Sequence, residues 1–172
     1  MKDRLDVIID LFLNLSARGV PYAFKIIGIE QKDYCSGVPR QAEALNSCND
    51  IEFLGRLEHE ETLKTIADAD FSINYRDENR MTKAGFSTKI VESISVGTPV
   101  IINAISDTFN YVERGSIGFQ LYKEPQKNIR LLVELCGFSQ AKRKKMKQNC
   151  IESRLFQVEK YANAVKAFLA AL

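Results

Sequence analysis

Glu92 stands between two hydroxyls, Thr88 and Ser95, at i, i+4 and i+7 spacing. On a helix that spacing stacks an acid and two hydroxyls in one row. The row begins beside Ser87 and Lys89. If a helix starts there, its free N–H groups and positive dipole end suit a phosphate. A lysine in a first helical turn opposes the macrodipole unless an anion is near, so Lys89 points the same way. A carboxylate such as Glu92 can accept two hydrogen bonds from a diol. Each residue also has an ordinary reading. Ser87 or Thr88 can cap the helix by accepting a backbone N–H bond, Lys89 can face solvent, and Glu92 can be a solvated surface acid.

The flanking residues supply the elements that would hold this row. Gly85 permits a tight turn before the helix, which carries Ile90, Val91 and Ile94 on its inner face. Gly97 suits a left-handed cap, and Pro99 prevents continuation. Pro99-Val-Ile-Ile-Asn103 is a short apolar run, as in a parallel strand buried on both faces.

Other segments alternate in the same way. Leu5–Leu15 reads as a mostly buried helix with Asp6, Asp10 and Asn14 in a polar stripe, ending near Arg18-Gly19. Strands are expected at 21–27, 51–55, 71–75 and 118–122, and helices at 40–45, 59–69, 107–114, 127–135, 139–154 and 157–172. Residues 29–39 and 76–84 read as loops. The fold class is α/β, a Rossmann-like, mostly parallel sheet with flanking helices in one domain. Gly55-Arg56-Leu57 and Arg76 each follow a strand, at the carboxyl edge where open α/β sheets bind ligands. A plain turn and a surface arginine are their ordinary readings.

Composition narrows the function classes. The chain has 172 residues, 45% hydrophobic and 27% charged, ordinary values for a globular domain. A net charge of +2 gives no global field for nucleic acid. No apolar run reaches the ~20 residues of a membrane span. Val7–Leu15 is apolar but carries Asp10 and Asn14, with no cleavage-type site after it, so a cytoplasmic chain is expected. Cys35, Cys48, Cys136 and Cys150 form no C-x-x-C pair and read as reduced structural thiols. Asp68-Ala-Asp70 spells D-x-D, but where a helix meets a strand it reads as a turn, and no metal is expected. His59, the only histidine, sits in an acidic helix start and reads as exposed. Lys142-Arg-Lys-Lys145 with Lys147 is a solvated basic face, or a contact for anionic lipid at the inner face of a membrane.

Gly85-Phe86-x-x-Lys89-x-x-Glu92-Ser-x-x-x-Gly97-Thr-Pro99-Val-Ile resembles the signature segment of retaining group 1 (family 4) glycosyltransferases. The runs Ile51–Leu57, Ala67–Asn74 and Phe156–Tyr161 resemble that family too. The resemblance implies the C-terminal, donor-binding half of a two-domain GT-B enzyme. It would transfer a hexose-type sugar to a glycan or lipid-linked acceptor with retention, in bacterial polysaccharide biosynthesis. Glu92 would hold the ribose of a nucleotide-sugar donor. Gly85, Phe86, Ser87, Thr88 and Lys89 would surround the diphosphate, the Gly55-Arg56-Leu57 turn would cradle the base, and Arg76 would approach donor or acceptor. The donor would be a UDP-sugar, with a GDP-sugar as the alternative, and no cofactor is implied.

The departures carry meaning. The first Glu of the family motif falls on Ala84, which touches sugar contacts more than nucleotide contacts. The family's first, central strand has no counterpart ahead of Leu5, and the acceptor domain is absent. The chain therefore reads as part of a longer enzyme, inactive alone, with an exposed strand edge that can pair with a second copy. Lys2 and Arg4 lie near the family's diphosphate-binding Arg and Lys, but without that strand their register is lost. A GT-B-shaped nucleotide-sugar epimerase and a non-catalytic α/β binding module remain the alternatives.

Overall fold

The computed structural model describes residues 3–105, 108–114 and 116–170. Helix α1 (Leu5–Ala17) buries Ile8, Ile9, Leu11, Phe12 and Leu15. Its polar stripe faces outward, where Asp6 and Asp10 meet Arg4 and Arg40. The helix ends at Arg18, and Gly19 follows at φ +67°, a backbone that favours glycine.

All of the paired strands are parallel. Strand β1 (Phe24–Ile26) pairs with β2 (Ile51–Phe53), Phe24 opposite Ile51. Strands β3 (Ser72–Asn74), β4 (Val100–Asn103) and β5 (Gly118–Leu121) form a second sheet in that order. The expected single sheet is thus divided, because β1 and β3 share no hydrogen-bonded ladder among the described residues. One apolar cluster nevertheless spans both sheets. It joins Ile9, Phe12 and Leu15 of α1 to Ile26 and Ile51, to Ile101 and Leu121, and to Ile129, Leu132 and Leu135 of α8 (Pro125–Cys136). Burial of apolar side chains is the dominant favourable term in folding, so α1 and α8 bind the two sheets together.

Two segments read as loops are partly helical. Helix α2 (Gln31–Gly37) forms because Tyr34 is buried and its hydroxyl donates to Gln41. Tertiary burial overrides the weak local pattern there. A 3-10 turn (Pro39–Gln41) leads into α3 (Ala42–Asn46). The charged segment after β3 contains α5 (Arg80–Ala84), held by a capping box in which Asn79 Oδ1 accepts from Thr82 N and Thr82 Oγ1 accepts from Asn79 N.

Helix α4 (His59–Asp68) links β2 to β3, and His59 at its start is exposed, as its acidic surroundings suggest. Helix α6 (Thr88–Ser95) turns through Gly97 at φ +84° into β4. Val100, Ile101 and Ile102 are all buried, as expected for a strand covered on both faces. Helix α7 (Thr108–Arg114) follows, and Asp107, where it was expected to begin, lies outside the described residues. Helices α9 (Gln140–Ser153) and α10 (Ala162–Ala170) close the chain.

Candidate functional site

Three side chains fix the C-terminal half of α6 and the turn after it against the sheet and α4. Ser72 Oγ donates to Ser93 Oγ at 2.8 Å, and Ser93 Oγ donates to Lys89 O at 2.8 Å. Thr98 Oγ1 donates to Ile66 O at 2.7 Å and ties the α6–β4 turn to α4. Ile90 and Ile94 fill the core below. Ser87 and Ile90 line one cavity with Asn74 and Asn103, so the helix N-terminus lies beside the carboxyl ends of β3 and β4, where its position suits ligand binding.

The expected serine cap is not made. Ser87 is the N-cap residue and is buried, yet its side chain makes no capping hydrogen bond. It lines a cavity of about 10 Å³ with Asn74, Arg76, Thr82, Ile90, Ile102, Asn103, Ile105 and Thr108. That volume holds at most a water. Ile90 N and Val91 N donate to Ser87 O, while the Thr88 and Lys89 amides of the first turn have no backbone acceptor among the described residues, as is usual at a helix start.

Arg76 is the second element of the site. Asn103, the last residue of β4, clamps its backbone: Arg76 N donates to Asn103 Oδ1 at 3.0 Å, and Asn103 Nδ2 donates to Arg76 O at 2.8 Å. The Arg76 side chain is only 16% exposed, so it is not the plain surface arginine of its ordinary reading. Its Nε lies 3.4 Å from Asp3 Oδ1, near enough to pair charges but not aligned for a hydrogen bond. Lys89 Nζ reaches the other Asp3 oxygen, Oδ2, at 2.5 Å. Burial works to raise the Asp3 carboxyl. The Lys89 hydrogen bond and charge, with Asn74 and Arg76, outweigh it and hold the group below the usual carboxylate range.

The sequence-predicted residues thus divide. Ser87, Lys89 and Arg76 come together, and Thr88 is exposed beside them on the first turn. Glu92 is half-buried one turn further along, with no ion pair among the described residues. Gly85 has φ −122°, open to any residue, and a side chain there would meet only ordinary contact, so the tight-turn reason for glycine is not needed. Phe86 is exposed and packs edge-on against Tyr111 and Phe156, with ring centroids 5.9 Å and 5.5 Å away.

Gly55 sits on the other sheet. Its φ of +62° favours glycine, and a side chain there would displace the flexible Glu30 carboxylate. Gly28 N donates to Gly55 O at 2.6 Å, while Arg56 is exposed and Leu57 half-buried. No hydrogen bond or ion pair among the described residues connects this turn to α6.

Asn74, Asn103, Thr82 and Asp3 were not singled out from sequence. For Asn103 a signal exists, a polar residue closing an apolar strand. For Asp3 only the fold brings the carboxylate to Lys89, 86 positions along the chain. Asp70 of the D-x-D is engaged by Arg143, whose NH1 donates at 2.6 Å. Within the basic run of α9, Lys147 Nζ donates to Ala67 O and Ala69 O, and Lys142 lies over the Phe138 ring. Three members of that run therefore have structural partners. The cysteines are free, and burial pushes the Cys150 thiol up to about 12. Among the described residues, no helix is long and apolar enough to cross a membrane, and no group of three or more His, Cys, Asp or Glu is placed to hold a metal ion.

Comparison with known proteins follows the same lines. The family described as "Glycosyl transferases group 1" matches residues 2–153. No curated protein matches the sequence. Among solved structures, WaaG, a glycosyltransferase involved in lipopolysaccharide biosynthesis, superposes with a TM-score of 0.70 at 15% identity, covering 91% of this chain and 40% of WaaG. HepE from Anabaena, in complex with UDP and glucose, gives a TM-score of 0.71 at 20% identity over 99% of this chain and 45% of HepE. The pneumococcal O-GlcNAc transferase GtfA, in complex with UDP and GlcNAc, gives 0.60 at 15% identity, covering 97% of this chain and 33% of GtfA. The chain thus spans less than half the length of each of these structures.

Proposed function

The chain belongs to the group 1 glycosyltransferases, and on that premise we propose that it binds the nucleotide-sugar donor of a hexosyl transfer that retains configuration. The observation that carries the proposal is the joint placement of Ser87, Lys89 and Arg76 at one helix start and one sheet edge. A diphosphate there meets first-turn amides, a buried hydroxyl and two cations. Glu92, one turn along, accepts the ribose hydroxyls. The mechanism asked of these residues is positional and electrostatic. They hold the diphosphate, stabilise charge on the leaving group and present the anomeric carbon to an acceptor.

The donor is a UDP-sugar, as with UDP in the HepE and GtfA complexes. The acceptor is a glycan or a lipid-linked glycan, bound by a second half of the enzyme. The Gly55–Leu57 turn contributes backbone groups to the base, and Ala84 leaves sugar contacts to other residues.

Isothermal titration with UDP, GDP and ADP tests this on the wild type and Glu92→Ala. One nucleotide, UDP, binds, and the variant binds it about tenfold or more weakly, the loss of hydrogen bonds to a charged group. Equal affinity of both proteins for UDP would remove Glu92 from the site.

A further inference from the structure

The anion that Lys89 requires at its helix start is already present in the chain, as the carboxylate of Asp3. It sits between Lys89 Nζ, 2.5 Å away on α6, and Arg76 Nε, 3.4 Å away after β3. Neighbouring contacts hold this arrangement together. Arg4 N donates to Tyr75 O at 2.8 Å, Asp3 forms an isolated antiparallel bridge with Arg76, and the Arg4 guanidinium spans Asp6 and Asp77. The residues before α1 are thereby laid over the same sheet edge that Ser87 and Asn103 line.

We infer that Asp3 is a resident carboxylate in a phosphate position, so that a diphosphate binds by displacing it from Lys89 and Arg76; this rests on the donor-site reading above. The fit of the carboxylate is incomplete in a way that favours exchange. Two cations surround one acid, which leaves the cluster one positive charge in excess. The Arg76 Nε is buried, and among the described residues its hydrogen bond is unmade, a state that is costly in a native structure. A phosphate group has more acceptor oxygens and more charge than a carboxylate, and can answer Arg76 and Lys89 together. Asn103 fixes the Arg76 backbone, so Arg76 stays at the sheet edge when Asp3 leaves. Asp3 is anchored differently, by an exposed lysine and by the single antiparallel bridge of the short run before α1 to Arg76. The exchange is therefore a movement of residues 3–4 and not of the sheet edge. Asp3 would set how tightly the diphosphate is held, and through it how readily a nucleoside diphosphate leaves after transfer.

The ordinary alternative is that Asp3 only pins the segment before α1 to the end of β3. Titration of inorganic pyrophosphate and of UDP into the wild type, Asp3→Asn, Asp3→Asn/Lys89→Met and Glu92→Ala separates the two. Asp3→Asn keeps the shape and one acceptor oxygen while removing the competing charge. It binds both probes about tenfold more tightly than the wild type, as expected when a like charge leaves a partly screened site. The double variant loses that gain. Asp3→Ser serves as a second variant with the same expectation, and thermal melting checks that each protein is folded.

Unchanged or weaker pyrophosphate affinity in both Asp3 variants overturns the inference. So does a gain that survives Lys89→Met. If Glu92→Ala still weakens UDP in that case, the donor site stands and only the role of Asp3 falls. If neither probe binds any of the proteins, both readings fall together.

Discussion

Helices α5 and α6 begin eight residues apart, at Arg80 and Thr88, and their starts are finished in opposite ways. At α5 the Asn79 and Thr82 side chains close a capping box, and Thr82 Oγ1 also donates to Asp77 O. The Asn79 and Thr82 amides at that end are satisfied by side chains, and Thr82 is almost wholly buried. At α6 the N-cap residue is also one that caps well, yet Ser87 turns its hydroxyl into the sheet edge and makes no cap. A lysine, poorly suited to a first turn, sits beside it and reaches for a carboxylate. One start is built for stability. The other gives up local stabilisation and keeps amides, a hydroxyl and cations facing one place. Departures from local rules concentrate where a structure serves function, and α6 is such a departure.

Substitutions at the two starts sharpen or break that contrast. The largest effect is expected at Glu92, where Glu92→Ala lowers UDP affinity by a factor of about 10–100. Its melting temperature stays within a few degrees of the wild type, since the residue has no ion pair to lose among those described. Next comes Asn79→Ala, which opens the α5 box and lowers stability by about 1 kcal/mol in urea unfolding, with UDP binding unchanged. Ser87→Ala gives the reverse pattern. Its stability changes by less than about 0.5 kcal/mol, because no cap is lost, while affinity for pyrophosphate falls. A stability loss at Ser87 as large as that at Asn79 would erase the contrast.

The smallest effect concerns pH. The Asp3 carboxyl is held below its unfolded value, so its ion pairing contributes fully above the unfolded value of about 3.9 and is lost as pH falls through the lower folded value. Asp3→Asn should therefore melt below the wild type at neutral pH and converge with it in acid. The Asp6 carboxyl, held down by its Arg4 hydrogen bond against burial, titrates in the same direction in both proteins and cancels in the difference.

Legibility in the sequence followed the range of the interactions. The α6–β4 segment could be read closely because its signals are local: Gly97 at positive φ, Pro99 at the stop and three consecutive apolar residues in β4. Helix α2 could not, since what makes it a helix is the burial of Tyr34 against Gln41 and Phe53. Helix α5 was hidden by its charges, and its Asn79–Thr82 box lacks the acidic partner of the commoner pattern. In the site, Ser87, Lys89 and Arg76 were legible from position alone. Asn103 and Asp3 were not, because their partners lie 27 and 86 residues away. The Gly55 turn was read only as a turn at a strand end, and its left-handed backbone, φ +62°, was not foreseen.

The most direct measurement is a map of amide chemical shifts as UDP is added to the folded chain. The account predicts that the largest changes fall on residues 85–92, Arg76 and Asn103, with residues 3–4 shifting as Asp3 gives way. Changes confined to another surface, or no change at the start of α6 under saturating UDP, would contradict it.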